Sequence, residues 1–275
     1  MAASRKLRTA ASSRNAKPGR SRTARSVGDL AKLSRPRLYD ALARERLFDR
    51  LDELRRHPVV WIAGPPGAGK TTLVASYLEA RKHRGIWYQL DAGDSDVSTF
   101  FFYLSEAAKA LAPRRSALPL LTPEYLFELS GFARRYFREL LTRLPQHGTL
   151  VLDNFQEIAN DSLFHQAVLA VFSEIPVGRN LVIISRAEPS ADYTRGIASG
   201  ELAHLSWVEL RFSLAETRAI SDARHKLTDR VVRALHESSD AYLFCGVRNC
   251  WRRQRRSIAG RPVSPPVVCA TGGWC

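Results

Sequence analysis

VVWIAGPPGAGKTTLVASYLEA, residues 59–80, decides how this chain is read. VVWIAG (59–64) reads as a strand buried on both faces, because it is continuously apolar and ends in glycine. GPPGAGKT follows as Gly64–Thr71 and matches G-x-x-x-x-G-K-[ST] at every fixed position, with a strand before it and a helical pattern over 69–81 after it. Gly64, Gly67 and Gly69 let the backbone curl until successive N–H groups face one concavity, and the helix N-terminus adds its dipole. Pro65, Pro66 and Ala68 fill out the loop, and Thr72 carries it into the helix. In such a loop Lys70 reaches the β- and γ-phosphates and the Thr71 hydroxyl ligates Mg²⁺. The expected ligand is therefore ATP or ADP with Mg²⁺.

Outward from this loop, short apolar runs alternate with amphipathic stretches. GIWYQLD (85–91), TLVLDNF (149–155) and NLVIISR (180–186) read as further strands, and HLSWVELRF (204–212) as a fifth. Helical patterns are predicted over 96–112, where Phe101, Leu104, Ala108 and Leu111 recur at three- and four-residue steps, and over 122–144 as one helix or a pair. Others fall near 161–173, 213–223 and 226–238. Continuous apolar strands separated by helices predict an α/β fold: a five-stranded, mostly parallel sheet with helices on both faces, then the start of a helical region.

The third strand supplies the second half of the site. A P-loop needs an acid on the Mg²⁺ side at the end of a buried strand, and LVLD puts Asp153 there as a metal ligand beside Thr71. The next residue is Asn154, which can hold a water but cannot accept its proton. Glu157 is a candidate substitute base or a solvated surface acid. The fourth strand ends in Ser185-Arg186, at the carboxyl edge where open α/β sheets bind ligands, so Arg186 is a candidate γ-phosphate sensor.

Composition bounds the reading. Of 275 residues, 45% are hydrophobic and 25% charged, which excludes wholesale disorder. No apolar run approaches the roughly 18 residues of a membrane helix, so no membrane partner is expected. The net charge of +15 sits at the ends. Residues 1–37 hold 11 Lys/Arg against Asp29 alone, and residues 242–275 hold six Arg and no acid. Between them stand 25 basic and 26 acidic residues, so the middle is nearly neutral. The N-terminal stretch reads as a disordered basic arm, whether solvated, nucleic-acid-contacting or a transit peptide. The four cysteines, Cys245, Cys250, Cys269 and Cys275, match no paired zinc spacing, and their absence from the first 244 residues suits a reducing cytoplasm.

Together these pieces resemble the nucleotide-binding domain of the signal-transduction ATPases with numerous domains (the STAND class). The branch is that of MalT-type and large LuxR-type transcriptional regulators. The resemblance runs from about Lys32 to Leu235. It is carried by the P-loop, by KLSRPRLYDALARERLFDRLDEL (32–54), by WYQLDAGDSDVSTFFFYL (87–104) and by SRAEPSADYTRGIASGELAHLSWVELRFSLAET (185–217). It implies an AAA+-like ATP-binding switch that hydrolyses ATP and self-associates in its ATP state, with Arg44 and Arg46 beside the nucleotide base. Two departures stand out. The family shows a pair of acids after the third strand where this chain has Asp153-Asn154, which implies slow hydrolysis. The family also continues into a winged helix, with a DNA-binding helix-turn-helix often beyond, whereas here the similarity fades near Ser238. DNA binding is thus expected only from domains absent from this sequence. The implied plan is an arm (1–37), an ATPase domain (38–212), a helical segment (213–241) and an unstructured or aberrant tail (242–275). A small-molecule P-loop kinase, with Arg134, Arg135 and Arg138 as a lid, and a basic nucleic-acid-binding module are the alternatives.

Overall fold

The computed structural model describes residues 31–39, 41–160, 162–224 and 226–238; the first 30 residues and the cysteine-bearing stretch beyond Ser238 lie outside this description. Five strands form one sheet: β1 (Val59–Ala63), β2 (Gly85–Gln89), β3 (Thr149–Asp153), β4 (Asn180–Ser185) and β5 (Leu202–Leu205). Their order is β2-β3-β4-β1-β5, and every pair is parallel. Val59 pairs with both Leu181 and Leu202, so the strands start nearly level and their carboxyl ends share one edge.

Strand residues alternate between two cores, as the pleat requires. Val60, Ile62, Val182 and Ile184 face helices α1 (Glu45–Leu54) and α2 (Lys70–Ala80). Val59, Trp61, Leu152 and Ile183 face the opposite way, toward α3 (Val97–Leu111), α4 (Leu129–Arg143) and α5 (Leu163–Leu169). That second core is aromatic: the Phe101 ring meets Phe132 at 5.0 Å and Tyr136 at 4.7 Å, both edge to face. Such pairs contribute about 0.5–1.5 kcal/mol each beyond their burial. Helix α6 (Ala191–Ala198) joins β4 to β5. After β5 come α7 (Trp207–Leu210), α8 (Leu214–Arg224) and α9 (Asp229–Ser238). Among the described residues no helix is long and apolar enough to cross a membrane.

Three expectations are corrected. The strand read over 204–212 ends at Leu205, and Trp207–Leu210 is helical. Ser206 and Glu209 form a capping box, and two reciprocal side-chain-to-backbone bonds outweigh the apolar run that suggested a strand. The helix expected over 161–173 is shorter: α5 stops at Leu169 and a 3-10 turn, Phe172–Glu174, follows. Part of the stretch read as a disordered basic arm (1–37) is also structured, from residue 31 onward. Ala31–Leu33 is a 3-10 turn against the edge strand β2, and the Lys32 ammonium is 2.8 Å from carboxylate oxygens of both Asp91 and Asp94. The same ammonium lies 5.4 Å from the Tyr88 ring centre and 5.2 Å from that of Tyr103.

Candidate functional site

The loop between β1 and α2 sits at the carboxyl edge of the sheet, beside Ser185 at the end of β4: the Gly64 amide donates to the Ser185 carbonyl at 3.3 Å. Its glycines are needed for two different reasons. Gly67 and Gly69 both adopt φ of +79°, a conformation costly for residues with a Cβ. Gly64 is limited by space, since a Cβ there would lie 3.1 Å from Leu210 Cδ1 and 3.5 Å from Trp207 Cε3. Ala68 is buried, and its amide donates to the Pro65 carbonyl at 3.2 Å. Pro66 and Thr72 are exposed. The first helical bond runs from Leu73 to Gly69, so the amides of Gly69, Lys70, Thr71 and Thr72 belong to the end of α2 that lacks helical acceptors.

Lys70 is buried inside this loop, and its ammonium donates to the carbonyls of Gly64 and Pro65, the latter at 3.0 Å. Across from it, Asp153 closes β3. Its Oδ1 accepts from the Thr71 hydroxyl at 3.1 Å and from the Asn154 amide at 2.9 Å. Its Oδ2 is buried with no hydrogen-bond partner among the described residues. This hard oxygen pair fits Mg²⁺, which takes one or two protein oxygens and completes its shell with phosphates and water. Burial pushes the Asp153 carboxyl above its ordinary pKa, against the pull of Thr71, the Asn154 amide and Lys70. Burial likewise lowers the Lys70 ammonium to about 8, aided by Arg186 and opposed by Asp153.

A pH dependence follows, with a definite sign. Lys70 must keep its proton to pair with phosphate, and a bound anion raises its pKa. Nucleotide affinity should therefore be full below the free protein's pKa and decline as pH rises through about 8. A fluorescent ADP analogue titrated between about pH 6 and pH 10 measures this. A flat profile would mean that Lys70 does not meet the phosphates.

Asn154 follows Asp153 with φ of +62°, a left-handed turn that asparagine tolerates better than most residues, and opens the 3-10 turn Phe155–Glu157. This turn hooks onto the tip of β4. The Gln156 Oε1 accepts from the Arg186 amide at 3.0 Å, and Glu157 Oε1 lies 3.4 Å from Arg186 Nη2. Asp153, Asn154, Glu157 and Arg186 thus gather beside the loop. Gln156 joins them, although its sequence position carried no signal.

Arg44 and Arg46, the arginines expected beside a nucleotide base, both bond the segment that follows β5. Arg44 is only 5% exposed and stacks 3.8 Å over the Phe212 ring. It donates to the carbonyls of Leu210 and Arg211 at 2.9 and 3.0 Å, and to both Glu216 carboxylate oxygens at 3.1 Å. Arg46 donates to the Glu209 and Arg211 carbonyls at 3.1 and 3.0 Å. Burial acts to raise the Glu216 carboxyl, but Arg44, the Ser213 amide and Arg46 together hold it below its ordinary range. Sequence reasoning missed Glu216. The S-x-x-E cap at Ser213–Glu216 was legible, but not its partner 172 residues away.

Residues 53–191 match the family model described as an AAA domain. The HTH-type transcriptional regulator MalT of Vibrio campbellii is 31% identical over 173 residues, 58% of this chain and 18% of that protein. The regulator of the same name from Klebsiella pneumoniae is 29% identical over 233 residues, 83% of this chain and 25% of that protein. The chain thus spans about a fifth to a quarter of the length of these curated relatives. Among solved structures, a Walker-type ATPase of Pyrococcus abyssi superposes with a TM-score of 0.45 at 14% identity, covering 77% of this chain and 66% of that one. With its parallel sheet, its phosphate-type loop and more than 130 residues matched in sequence, the chain belongs to the AAA-domain family and carries a P-loop ATPase domain of the MalT type.

Proposed function

We propose that this chain is the ATP-binding, slowly hydrolysing switch domain of a bacterial signal-transduction ATPase that regulates transcription in the cytoplasm. The observation that carries the reading is the pairing of a complete binding set with an incomplete catalytic one. Lys70, the Thr71–Asp153 pair and Arg186 surround the loop, yet the residue after Asp153 is an amide. Bound Mg²⁺ would be held by Thr71 and Asp153 and would neutralise charge on the phosphate oxygens. Lys70 would bind and orient the phosphate tail, and Arg186, at the tip of β4, would sense the γ-phosphate that distinguishes ATP from ADP. Asn154 can orient a water without deprotonating it. A long-lived ATP state suits a protein whose output is an arrangement of neighbouring domains, including self-association and DNA contact by parts beyond this sequence. The kinase alternative loses support, because Arg138 pairs with Glu174 at 2.9 Å and Arg135 lies 5.1 Å over Tyr125.

The test is a Mg²⁺ titration of ATP affinity. Asp153→Asn should flatten the Mg²⁺ dependence while leaving metal-free binding within about threefold, since only the metal loses a charged ligand. An unchanged titration would show that Asp153 does not serve the metal.

A further inference from the structure

We propose that Glu216, on α8 and beyond the sequence that matches the AAA domain, is a positioning residue of the nucleotide site, acting through Arg44. This rests on the nucleotide reading above. Four contacts in series link it to the loop. Glu216 holds the Arg44 guanidinium with both carboxylate oxygens at 3.1 Å. Arg44 in turn grips the carbonyls of Leu210 and Arg211. Those bonds fix the end of α7, whose Leu210 and Trp207 side chains pack against Gly64, the first residue of the loop. Gly64 supplies a carbonyl to Lys70, so the path of the loop and the pose of its lysine share one anchor.

The surroundings show that the grip is specific. Leu210 is fully buried, Arg44 and Glu216 have side chains only 6% and 12% exposed, and Phe212 covers the guanidinium face. Planar, bidentate pairing of this kind is something arginine supplies and lysine does not. Two further arginines reinforce it from the same side: Arg46 on the Glu209 and Arg211 carbonyls, and Arg50 on the Glu209 carboxylate at 2.9 Å. The leading segment before β1 therefore clasps the segment after β5, and the P-loop is shaped between them. Coupling is reciprocal: if the clasp tightens nucleotide binding, nucleotide must tighten the clasp.

The experiment is Glu216→Gln in the full chain, with dissociation of a fluorescent ADP analogue and thermal melting both measured. Removing the charge while keeping the shape should speed ADP release about tenfold, within the 5- to 150-fold span of ordinary site-to-site coupling, while the variant still melts cooperatively. A merely structural role would lower the melting temperature and leave release within about twofold of the parent, and that result overturns the proposal. Should the variant fail to fold, hydrogen exchange on the parent decides. ADP must slow exchange at the amides of residues 210–216; unchanged exchange there overturns the proposal. A parent that binds no ADP overturns the nucleotide reading and this inference together. A parent that binds, with Glu216→Gln unchanged, overturns only this inference.

Discussion

Lys70→Ala should weaken ATP and ADP binding roughly ten- to a hundredfold while the chain stays folded. Lys70 is a buried side-chain cation inside the loop, and a hydrogen bond to a charged group contributes about 1.5–3 kcal/mol. Its present partners are the carbonyls of Gly64 and Pro65, which hold the ammonium within the concavity. Loss of the side chain removes the charge that meets the phosphates and also frees those two carbonyls, so the loop loosens as well. The fold itself should tolerate the change. Lys70 opens α2, alanine is the best helix former, and burial already works against the charged form of this lysine. Equilibrium titration with labelled ATP, beside a melting curve, measures both halves. Affinity within about twofold of the parent in a cooperatively folded variant would remove the P-loop assignment.

The second large effect concerns Asn154→Asp. General-base assistance contributes typically about 10²–10⁴-fold, and an aspartate would restore a proton acceptor next to Asp153. The backbone allows it: aspartate, like asparagine, tolerates the left-handed φ of +62° found here. The neighbouring Asp153 carboxylate sets a ceiling. Two adjacent carboxylates resist ionising together, so the gain should fall at or below the low end of that range, about tenfold to a hundredfold. ATP affinity should change little, since Lys70, Thr71 and the loop amides are untouched. Single-turnover hydrolysis with radiolabelled ATP is the measurement, with Glu157→Gln alongside it. Glu157 sits 3.4 Å from Arg186, and its loss should leave the rate near that of the parent. If Glu157→Gln abolishes turnover and Asn154→Asp does not raise it, the base is Glu157 and the water lies elsewhere. If the parent already turns over many ATP per second without a partner, the switch reading fails.

Much of this site was legible because its chemistry is local. Gly64–Thr71 is eight consecutive residues, and the curl of a glycine-rich strand-to-helix turn follows from the absence of Cβ atoms at fixed spacings. Asp153 was legible because a buried apolar run ending in an acid marks the tip of a strand. The alternation of apolar runs and helical periods likewise determined an α/β fold with both sheet faces covered. HLSWVELRF was misread because its apolar run and its S-x-x-E cap point to different structures. Four residues cannot settle by periodicity what two hydrogen bonds settle by geometry.

Only the tertiary structure decided what Arg44 and Arg46 do. The family resemblance implied only that these two arginines lie beside a nucleotide base. In the fold, parallel pairing sets β5 beside β1, which brings the segment after β5 within reach of the segment before α1, 172 residues distant. There Arg44 meets two carbonyls, a carboxylate and a phenyl ring, and its Nε and Nη2 donors already have protein partners. The sequence by itself determined the loop, its lysine, the acid at the tip of the third strand and the layered sheet, since each depends on residues within one turn or one strand. The tertiary structure decided which long-range partner each charge keeps, because that choice is made by burial and strand order, neither of which any short stretch of sequence contains.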